Sequence, residues 1–404
     1  SRLGQTGIAM TTVAVLSLSG CGLPTWGELI GAKKEEAPPV VVQPPQFAAT
    51  PAPAEPEPPP PPPKPDPATV IAEFQTLQPH QIDDAKLTAL TELEEGLEVI
   101  EELDLTGASV SSVGLKNLGR LTHLTRLNLS GTRVDAEGFA HVGEVNTLEQ
   151  LHLDGNRFPS NAVESLESLD QLKVLTAPGL QLSPPAWDDL LLSHPNLEEL
   201  LIPSSNANDL VMTAVGKLTK LKRLVLSSTG VTDLGLKQLA ELEQLESLNL
   251  DRCTVHGLGF HGPGSRKVFV ALRDLSLAQT PLNQQGGEAL RTLKGLRRLN
   301  IDFMRDIQDV HFKRIIAPLN KLEYLSVAHA PMLTGQALSA LAGNDNLQEI
   351  RLFECHGIDD SGLRFLSKCE NLKKVDLAQT ACTVNGAVAL KEILPDVDIV
   401  GLAQ

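Results

Sequence analysis

A short aliphatic pattern recurs through most of this 404-residue chain. It places Leu, or another aliphatic residue, at positions 1, 4 and 6, and successive copies begin 24 to 27 residues apart. So narrow a spacing indicates one structural unit repeated, which constrains the fold more than the two or three domains that length alone would suggest. The copies begin at Ile100, Leu124, Leu148, Leu172, Leu197, Leu221, Leu245, Leu272, Leu296, Leu322, Leu347 and Leu372.

The spacing within one repeat predicts a strand, a turn and a helix. Leu224 and Leu226 lie two residues apart, so both face the same side of a short strand. Thr232 and Asp233 then form an N-cap signal ahead of apolar residues at helical spacing. Because the helix returns the chain each time, consecutive strands must be parallel. One repeat cannot bury its own leucines, but a stack buries a continuous aliphatic core, which suits an aromatic content of 3%.

Residues 98–399 resemble the leucine-rich repeat family, in its ribonuclease-inhibitor-like class. Gly230–Leu236 (GVTDLGL) and Gly357–Leu363 (GIDDSGL) look like the bacterial version of that class. The resemblance implies an α/β solenoid with a curved parallel sheet on the concave side and helices on the convex side. Solenoid ends need caps. We therefore expect three parts in order: an N-terminal cap over 69–97, about twelve repeats over 98–383, and a C-terminal cap over 384–404 with a last helix and a thirteenth edge strand.

In that family, the ninth residue of each repeat points inward and hydrogen-bonds the neighbouring turn. The residues that occupy this position here are more often Thr or Cys than Asn: Thr132, Asn156, Thr229, Cys253, Thr280, Cys355 and Thr380. Ala108, Leu180 and Met304 interrupt the pattern, and we expect looser turns in those repeats.

Residues 1–21 have the features of an export signal. The apolar run Gly7–Gly20 has 14 residues, whereas crossing a bilayer takes roughly 20. It ends in Leu18-Ser-Gly-Cys21, which resembles the lipobox of bacterial lipoproteins. The resemblance implies a lipid on Cys21, export to the cell envelope and, since Gly22 is not Asp, an outer-membrane position. The alternatives are an ordinary signal peptide with a chance cysteine and an apolar segment that is never cleaved.

Residues 22–68 are predicted to form a disordered, proline-rich tether. Of the chain's 28 prolines, 15 lie between Pro38 and Pro67, and six are consecutive from Pro58 to Pro63. Such a run cannot form helix or sheet and favours extended polyproline II. It would hold the repeats away from a membrane. A ligand for a proline-binding module is the alternative interpretation.

Charge on the concave face is expected to be neutralised between neighbouring strands. The residue after the first leucine of each repeat mostly alternates in sign down the stack, which pairs opposite charges on strands about 4.8 Å apart. The residues are Glu101, Thr125, Glu149, Lys173, Glu198, Lys222, Glu246, Arg273, Arg297, Glu323, Gln348 and Lys373. This argues against one large face of a single sign. The formal net charge of −16 also argues against a nucleic-acid partner bound through phosphates.

Two groups of apolar or aromatic residues interrupt this polar surface, and such clusters often mark partner-binding sites. The first group lies on repeats four to six and consists of Val174, Leu201 and Val225. The second lies on or just past strands nine to eleven and consists of Phe303, Tyr324, His329 and Phe353. The alternative for the second group is that Phe303 and Phe353 fold over strand ends and seal irregular turns.

Few residues point to chemistry. Gly257–Gly262 matches the dinucleotide motif G-x-G-x-x-G, but Pro263-Gly264 follows where a helix should begin. Cys253, His256 and His261 are close in sequence, yet the inward ninth position should bury the Cys253 thiol away from both imidazoles. We expect no cofactor, no metal and no catalysis. The four cysteines after Cys21 are expected to be reduced and mostly buried.

These features favour a membrane-anchored leucine-rich repeat lipoprotein that binds a protein, or a polysaccharide, through its concave face without catalysis. One alternative is an accessory subunit of an envelope enzyme. Another is a substrate adaptor of the ubiquitin-ligase type, which some repeats of the family resemble but which would require a cytosolic setting. The partner's identity and the oligomeric state stay open.

Overall fold

The computed structural model describes residues 66–156, 158–262 and 268–402. The predicted signal segment with Cys21, nearly all of the predicted tether and the Pro263-Gly264 step lie outside the described residues. Those interpretations therefore stay predictions.

One parallel sheet runs through the described part, with thirteen strands in the order of the chain. Each strand is three residues long and occupies positions 3 to 5 of its repeat. The prediction of an α/β repeat solenoid is confirmed. The strands are β1 Glu102–Asp104, β2 Arg126–Asn128, β3 Gln150–His152, β4 Val174–Thr176, β5 Glu199–Leu201, β6 Arg223–Val225, β7 Ser247–Asn249, β8 Asp274–Ser276, β9 Arg298–Asn300, β10 Tyr324–Ser326, β11 Glu349–Arg351, β12 Lys374–Asp376 and β13 Asp398–Val400.

The register of the sheet aligns the core residues from repeat to repeat. Leu224 in the middle of β6 lies opposite Leu200 on one side and Leu248 on the other. All three are at most 1% exposed. Burying a leucine side chain contributes about 1.5–3 kcal/mol, and here each leucine obtains that burial from the adjoining repeats.

Short helices connect consecutive strands. The α-helices are α1 Pro67–Thr76, α2 Asp84–Thr91, α3 Ser112–Leu115, α4 Ala136–Gly143, α5 Val163–Leu166, α6 Pro184–Leu192, α7 Val211–Val215, α8 Asp233–Gln238, α9 Gln284–Leu290, α10 Asp309–Ile316, α11 Asp360–Leu366 and α12 Val384–Ile393. The 3-10 helices include Pro79–Gln81, Leu97–Val99, Leu118–Arg120, Ser160–Ala162, Leu239–Glu241, Leu258–Phe260 and Gly335–Leu341. Within the described ranges, none of the helices combines the length and apolar character that crossing a bilayer needs.

Aspartate clamps link several helix starts to the next repeat. The Asp209 carboxylate accepts hydrogen bonds from the Thr232 amide (2.8 Å), the Thr232 hydroxyl (2.6 Å) and the Gly235 amide (3.0 Å). Asp84 and Asp360 make the corresponding bonds in the first and last repeats. The carboxylates satisfy backbone amides at helix starts, which have no partner inside the helix. This contact accounts for the Asp and Gly of the GVTDLGL segment.

The ninth position satisfies carbonyl groups inside the turns, in two ways. The Asn156 side chain donates to the Leu129 carbonyl of the preceding repeat (2.6 Å), as the family resemblance implied. The Cys355 thiol likewise reaches back, to the Val327 carbonyl (3.1 Å). Thr132 instead donates to the Leu129 carbonyl of its own repeat (2.6 Å). Thr therefore closes its own turn, whereas Asn and Cys tie two repeats together.

Burial shapes the chemistry of the cysteines. Cys253, Cys355, Cys369 and Cys382 are all free and buried in the aliphatic core. Burial raises the pKa of Cys355 and of Cys382 to about 11, from an ordinary value of 9.0. These thiols are weak nucleophiles at neutral pH, because the thiolate is the reactive form.

Replacing Gly235 by Ala should destabilise the stack, although Ala favours helix over Gly by roughly 1 kcal/mol. An added Cβ would lie 2.5 Å from the Asp209 carboxylate oxygen and 2.8 Å from Met212 Cγ, which forces the clamp apart. We expect a loss of about 1–3 kcal/mol, seen as a lower urea midpoint by circular dichroism. Gly230→Ala is the control, since its Cβ would make ordinary contacts at 3.4 Å or more. Equal midpoints for the two variants would contradict the clamp.

Ionisation of the buried Cys355 thiol should destabilise the fold at alkaline pH. Its folded pKa lies above the unfolded value, so its contribution is complete below pH 9.0 and is lost as pH rises towards about 11. The two pKa values differ by about two units, which corresponds to roughly 3 kcal/mol at most. Thr280 and Thr380 show that Thr fits the ninth position. The Cys355→Thr variant should therefore lose less stability than the unmodified chain between pH 8 and pH 11, as measured by urea titrations. Thr280→Cys should lose more, and parallel curves for all three proteins would contradict the assignment.

Candidate functional site

The side of the sheet away from the helices carries the side chains at positions 3 and 5 of each repeat. We call this surface the open face. Within each strand the middle residue is buried, whereas the first residue, and in most strands the third, is exposed or half-buried. Because each strand presents only two such residues, any binding site here must combine residues from several repeats.

Opposite charges pair laterally beside the open face, as the sequence predicted. Three of the expected pairs at position 2 have a nitrogen–oxygen distance of 2.7 Å: Lys173–Glu149, Lys222–Glu198 and Arg297–Glu323. A second row of pairs at position 3 was missed: Arg126–Glu102, Arg223–Glu199, Arg298–Asp274 and Lys374–Glu349. Neutralisation between strands therefore involves two rows.

The pair Lys222–Glu198 shows what these contacts do. Their hydrogen bond raises the pKa of Lys222 and lowers the pKa of Glu198. The two side chains remain 48% and 36% exposed, so solvent screens the attraction. Exposed pairs contribute less than about 1 kcal/mol each, and they set local charge more than stability.

The first predicted apolar group lies on the open face, and we call it the aliphatic patch. Leu201 and Val225 are adjacent partners on β5 and β6, each at position 5. Val174 lies at position 3 of β4, in the neighbouring row. All three are half-buried. Pro178 and Pro203, which follow β4 and β5 and are also half-buried, extend this apolar surface and were not identified from the sequence.

Three members of the second predicted group come together at the ends of strands β9 to β11, and we call them the aromatic cluster. The rings of Phe303 and His329 are stacked, with centroids 4.0 Å apart and planes 15° apart. The ring of Phe353 meets His329 edge-on at 5.1 Å. His329 Nδ1 lies 2.6 Å from a carboxylate oxygen of Glu354, which the sequence analysis missed.

The turn itself does not require aromatic residues at these positions. Phe303 and His329 occupy position 8, where the backbone is left-handed with φ of 68° and 56°. The first four repeats have Gly at this position, and the later ones also use Ser, Arg, Gln or Glu. A left-handed residue other than Gly costs roughly 1–2 kcal/mol. Because Ser and Gln adopt the same backbone in other repeats, the left-handed conformation does not itself call for an aromatic side chain.

Cavities lie on both sides of Phe303. One, of about 440 Å³, is lined by Phe303, Met304, Arg305, Ile307 and other residues of repeats eight and nine. The other, of about 280 Å³, is lined by Phe303, Arg305, His329, Pro331, Glu354 and His356. The larger one adjoins Met304, where the interrupted ninth position led us to expect a looser turn.

Tyr324 has different neighbours from the aromatic cluster. It is the first residue of β10, and the Arg298 guanidinium carbon lies 4.3 Å from the centre of its ring. This is a cation–π geometry. Tyr and Arg are also the residues most enriched where protein interfaces concentrate their binding energy.

The residues singled out for metal or nucleotide chemistry are engaged otherwise. The Cys253 thiol donates to the Leu226 carbonyl inside the core, and His256 Nδ1 lies 3.5 Å from an Asp233 oxygen. The Asp233 carboxylate also accepts from the amides of His256 and Gly259, both at 2.9 Å. The amide of Gly259, in the glycine-rich loop that matches the dinucleotide motif, is thus already bonded. In the described part of the chain, no three potential metal ligands converge.

Comparison with known proteins agrees with this architecture. A family model described as "Leucine Rich repeat" matches residues 120–139 and 217–240. No curated protein sequence matches the chain. Among solved structures, an internalin (inlF) from Listeria monocytogenes is 17% identical, with 84% of this chain and 94% of that chain covered and a TM-score of 0.56.

The functional domain of InlJ from Listeria monocytogenes, which includes a cysteine ladder, is also similar. It is 17% identical, with 80% of this chain and 69% of that chain covered and a TM-score of 0.51. At this level of identity the similarity concerns the fold alone.

Proposed function

We propose, on the premise that this chain belongs to the leucine-rich repeat family, that it is a non-catalytic module that binds a protein partner through the open face. One observation carries the proposal: half-buried apolar side chains on the open face, and aromatic side chains at the adjoining strand ends, interrupt a surface whose charges are otherwise paired off. Paired charges give little net attraction, whereas desolvating apolar groups contributes roughly 25 cal/mol per Å².

The arrangement of the apolar groups supports a partner that spans several repeats. The aliphatic patch belongs to repeats four to six, and the aromatic cluster and Tyr324 belong to repeats nine to eleven. Aromatic residues and arginines at the centre, with a polar rim, are typical of protein interfaces. This composition favours a protein over a polysaccharide partner.

The module is proposed to act at the cell envelope, held by a lipid on Cys21 and separated from the membrane by the proline-rich tether. The support is the lipobox-like segment and the run of prolines. Lipoproteins of that kind carry more than one acyl chain, and two or more anchor a protein stably. Because Gly22 is not Asp, the outer membrane is favoured.

If the partner is an enzyme, the chain is its accessory subunit, and identification of the partner decides this. A ubiquitin-ligase adaptor would need a cytosolic setting, which the export signal opposes.

Replacing Tyr324 and Phe353 by Ser should reduce partner capture. The double variant removes two rings from the proposed interface, and such losses typically weaken binding at least tenfold. The full chain and the variant are used as bait in envelope extract, and bound proteins are quantified by mass spectrometry. Leu234→Ser is the control, because Leu234 is 66% exposed but lies on α8, on the other side of the sheet. Unchanged capture by a folded double variant, checked by its urea midpoint, contradicts the proposal.

Replacing Cys21 by Ser should abolish lipid attachment, because the thiol is the acceptor in the proposed anchor. Cells expressing the full chain are grown with an alkyne fatty-acid analogue, and the purified protein is examined for label and for sedimentation with membranes. Cys369→Ser is the matched control, since that thiol is buried in the repeats. Label that persists in Cys21→Ser contradicts the anchor but leaves the binding proposal intact.

A further inference from the structure

A hollow on the open face lies between the aliphatic patch and Tyr324. It has a volume of about 290 Å³ and spans β6 to β10. It exists because β7 and β8 carry the short side chains Ser247 and Ser276, whereas Arg223 on β6 and Arg298 on β9 are long. The other polar residues that line it are Asn249, Asp274, Asn300 and Tyr324.

The asparagines of this hollow have used their acceptor atoms. Asn249 Oδ1 accepts from the Asp251 amide (2.9 Å), and Asn300 Oδ1 accepts from the Asp302 amide (3.0 Å). Each bond turns the chain at a strand end, as Asx turns do. It also fixes which amide atom is oxygen and which is nitrogen. Within the ranges that the structure describes, no residue accepts a hydrogen bond from either Nδ2, so both NH₂ groups remain as donors.

The hollow is rich in hydrogen-bond donors, although its two arginines are each paired with a carboxylate. Arg223 and Arg298 bring two guanidinium groups, and Asp274 is the one carboxylate among the described residues that line it. Arg298 Nε lies 3.2 Å from Asp274 Oδ1, and Arg223 Nη1 lies 3.8 Å from Glu199 Oε2. Each pair involves one nitrogen of the guanidinium group, so both groups keep further N–H donors. Partial burial raises the pKa of Asp274 above its ordinary value.

We infer that this hollow receives the carboxylate of an Asp or Glu side chain of the protein partner, beside the ring of Tyr324. A carboxylate only accepts hydrogen bonds, so it complements two NH₂ groups and two guanidinium groups. An amide or hydroxyl would leave part of this donor set unmatched. The inference rests on the proposed function, because the open hollow needs the adjoining Tyr324 and Val225 to add contact area.

The test is selection of a random 12-residue phage peptide library on the full chain at 150 mM salt. Asp and Glu should be enriched in the selected peptides, against the repulsion expected from a net charge of −16. The critical variant is N249D/N300D. It keeps the turns, because Asp104 and Asp376 make the same bond at the same position. It removes both donor groups and adds two negative charges.

Acidic peptides selected on the full chain should bind N249D/N300D at least tenfold more weakly. The variant loses both NH₂ donors to the peptide carboxylate, and each hydrogen bond to a charged group contributes substantially to affinity. Asn128→Asp is the control, because Asn128 makes the same turn bond on β2, remote in the sheet from the hollow. It should bind normally. Versions of the peptides in which Gln replaces Glu should bind the full chain as weakly as the original peptides bind N249D/N300D.

Three results would overturn the inference: no Asp or Glu enrichment, acidic peptides that bind N249D/N300D normally, or binding of oligogalacturonate with no acidic peptide selected. The proposed function is judged separately. If Y324S/F353S loses partner capture while N249D/N300D keeps it, the open face binds a partner and the hollow does not hold a carboxylate. If N249D/N300D no longer binds the acidic peptides but Y324S/F353S still captures the partner, the carboxylate site is supported and the proposed interface is contradicted.

Discussion

Leucine burial between neighbouring repeats is the interaction on which the rest of this structure depends. A strand of three residues followed by a short helix encloses no interior of its own, so Leu224 is buried only because Leu200 and Leu248 lie on either side. Each repeat therefore fixes the register of the next. The sheet grows by repeated translation, and side chains 24 to 27 residues apart in sequence become lateral neighbours. The lateral pairing of charges between strands follows from that translation.

Polar contacts reinforce the same translation and use up specific atoms. The aspartate clamps hold helix starts, and the ninth residues hold turn carbonyls. The amide that follows each strand is bonded in one of two ways. The Asp302 amide donates to Asn300 of its own repeat. The Ala278 amide instead donates to Asp251 of the preceding repeat, because β8 has Ser at position 5. Donor groups engaged in this way are no longer available to a partner. Recognition is left to the donors and rings that the repeat does not use.

The aromatic cluster, the aliphatic patch and the hollow are then three departures from one regular design. At position 8 the turn accepts Gly, Ser or Gln, so Phe303 and His329 are not dictated by turn geometry. Leu201 and Val225 occupy a position at which the other repeats have polar or charged residues. The small residues of β7 and β8 leave room where other repeats present long side chains. The aliphatic patch and the hollow lie on the open face, and the aromatic cluster lies at the adjoining strand ends, which is why we place the proposed function there.

The fold can be predicted from the repeat alone. Its period specified strands, their parallel order and the inward leucines, because each follows from one repeat and its translation. The same reasoning placed charged neighbours such as Lys222 and Glu198, and it identified Phe303, His329, Phe353 and Tyr324 as unusual surface residues.

Only the tertiary structure separated Tyr324, under Arg298, from the stacked rings of the aromatic cluster. It alone revealed the hollow and showed which atoms of Asn249 and Asn300 are already bonded. The physical reason is that these features depend on side-chain length and hydrogen-bond choice across several repeats. The periodic pattern fixes where side chains start, but it does not fix which of their atoms remain free.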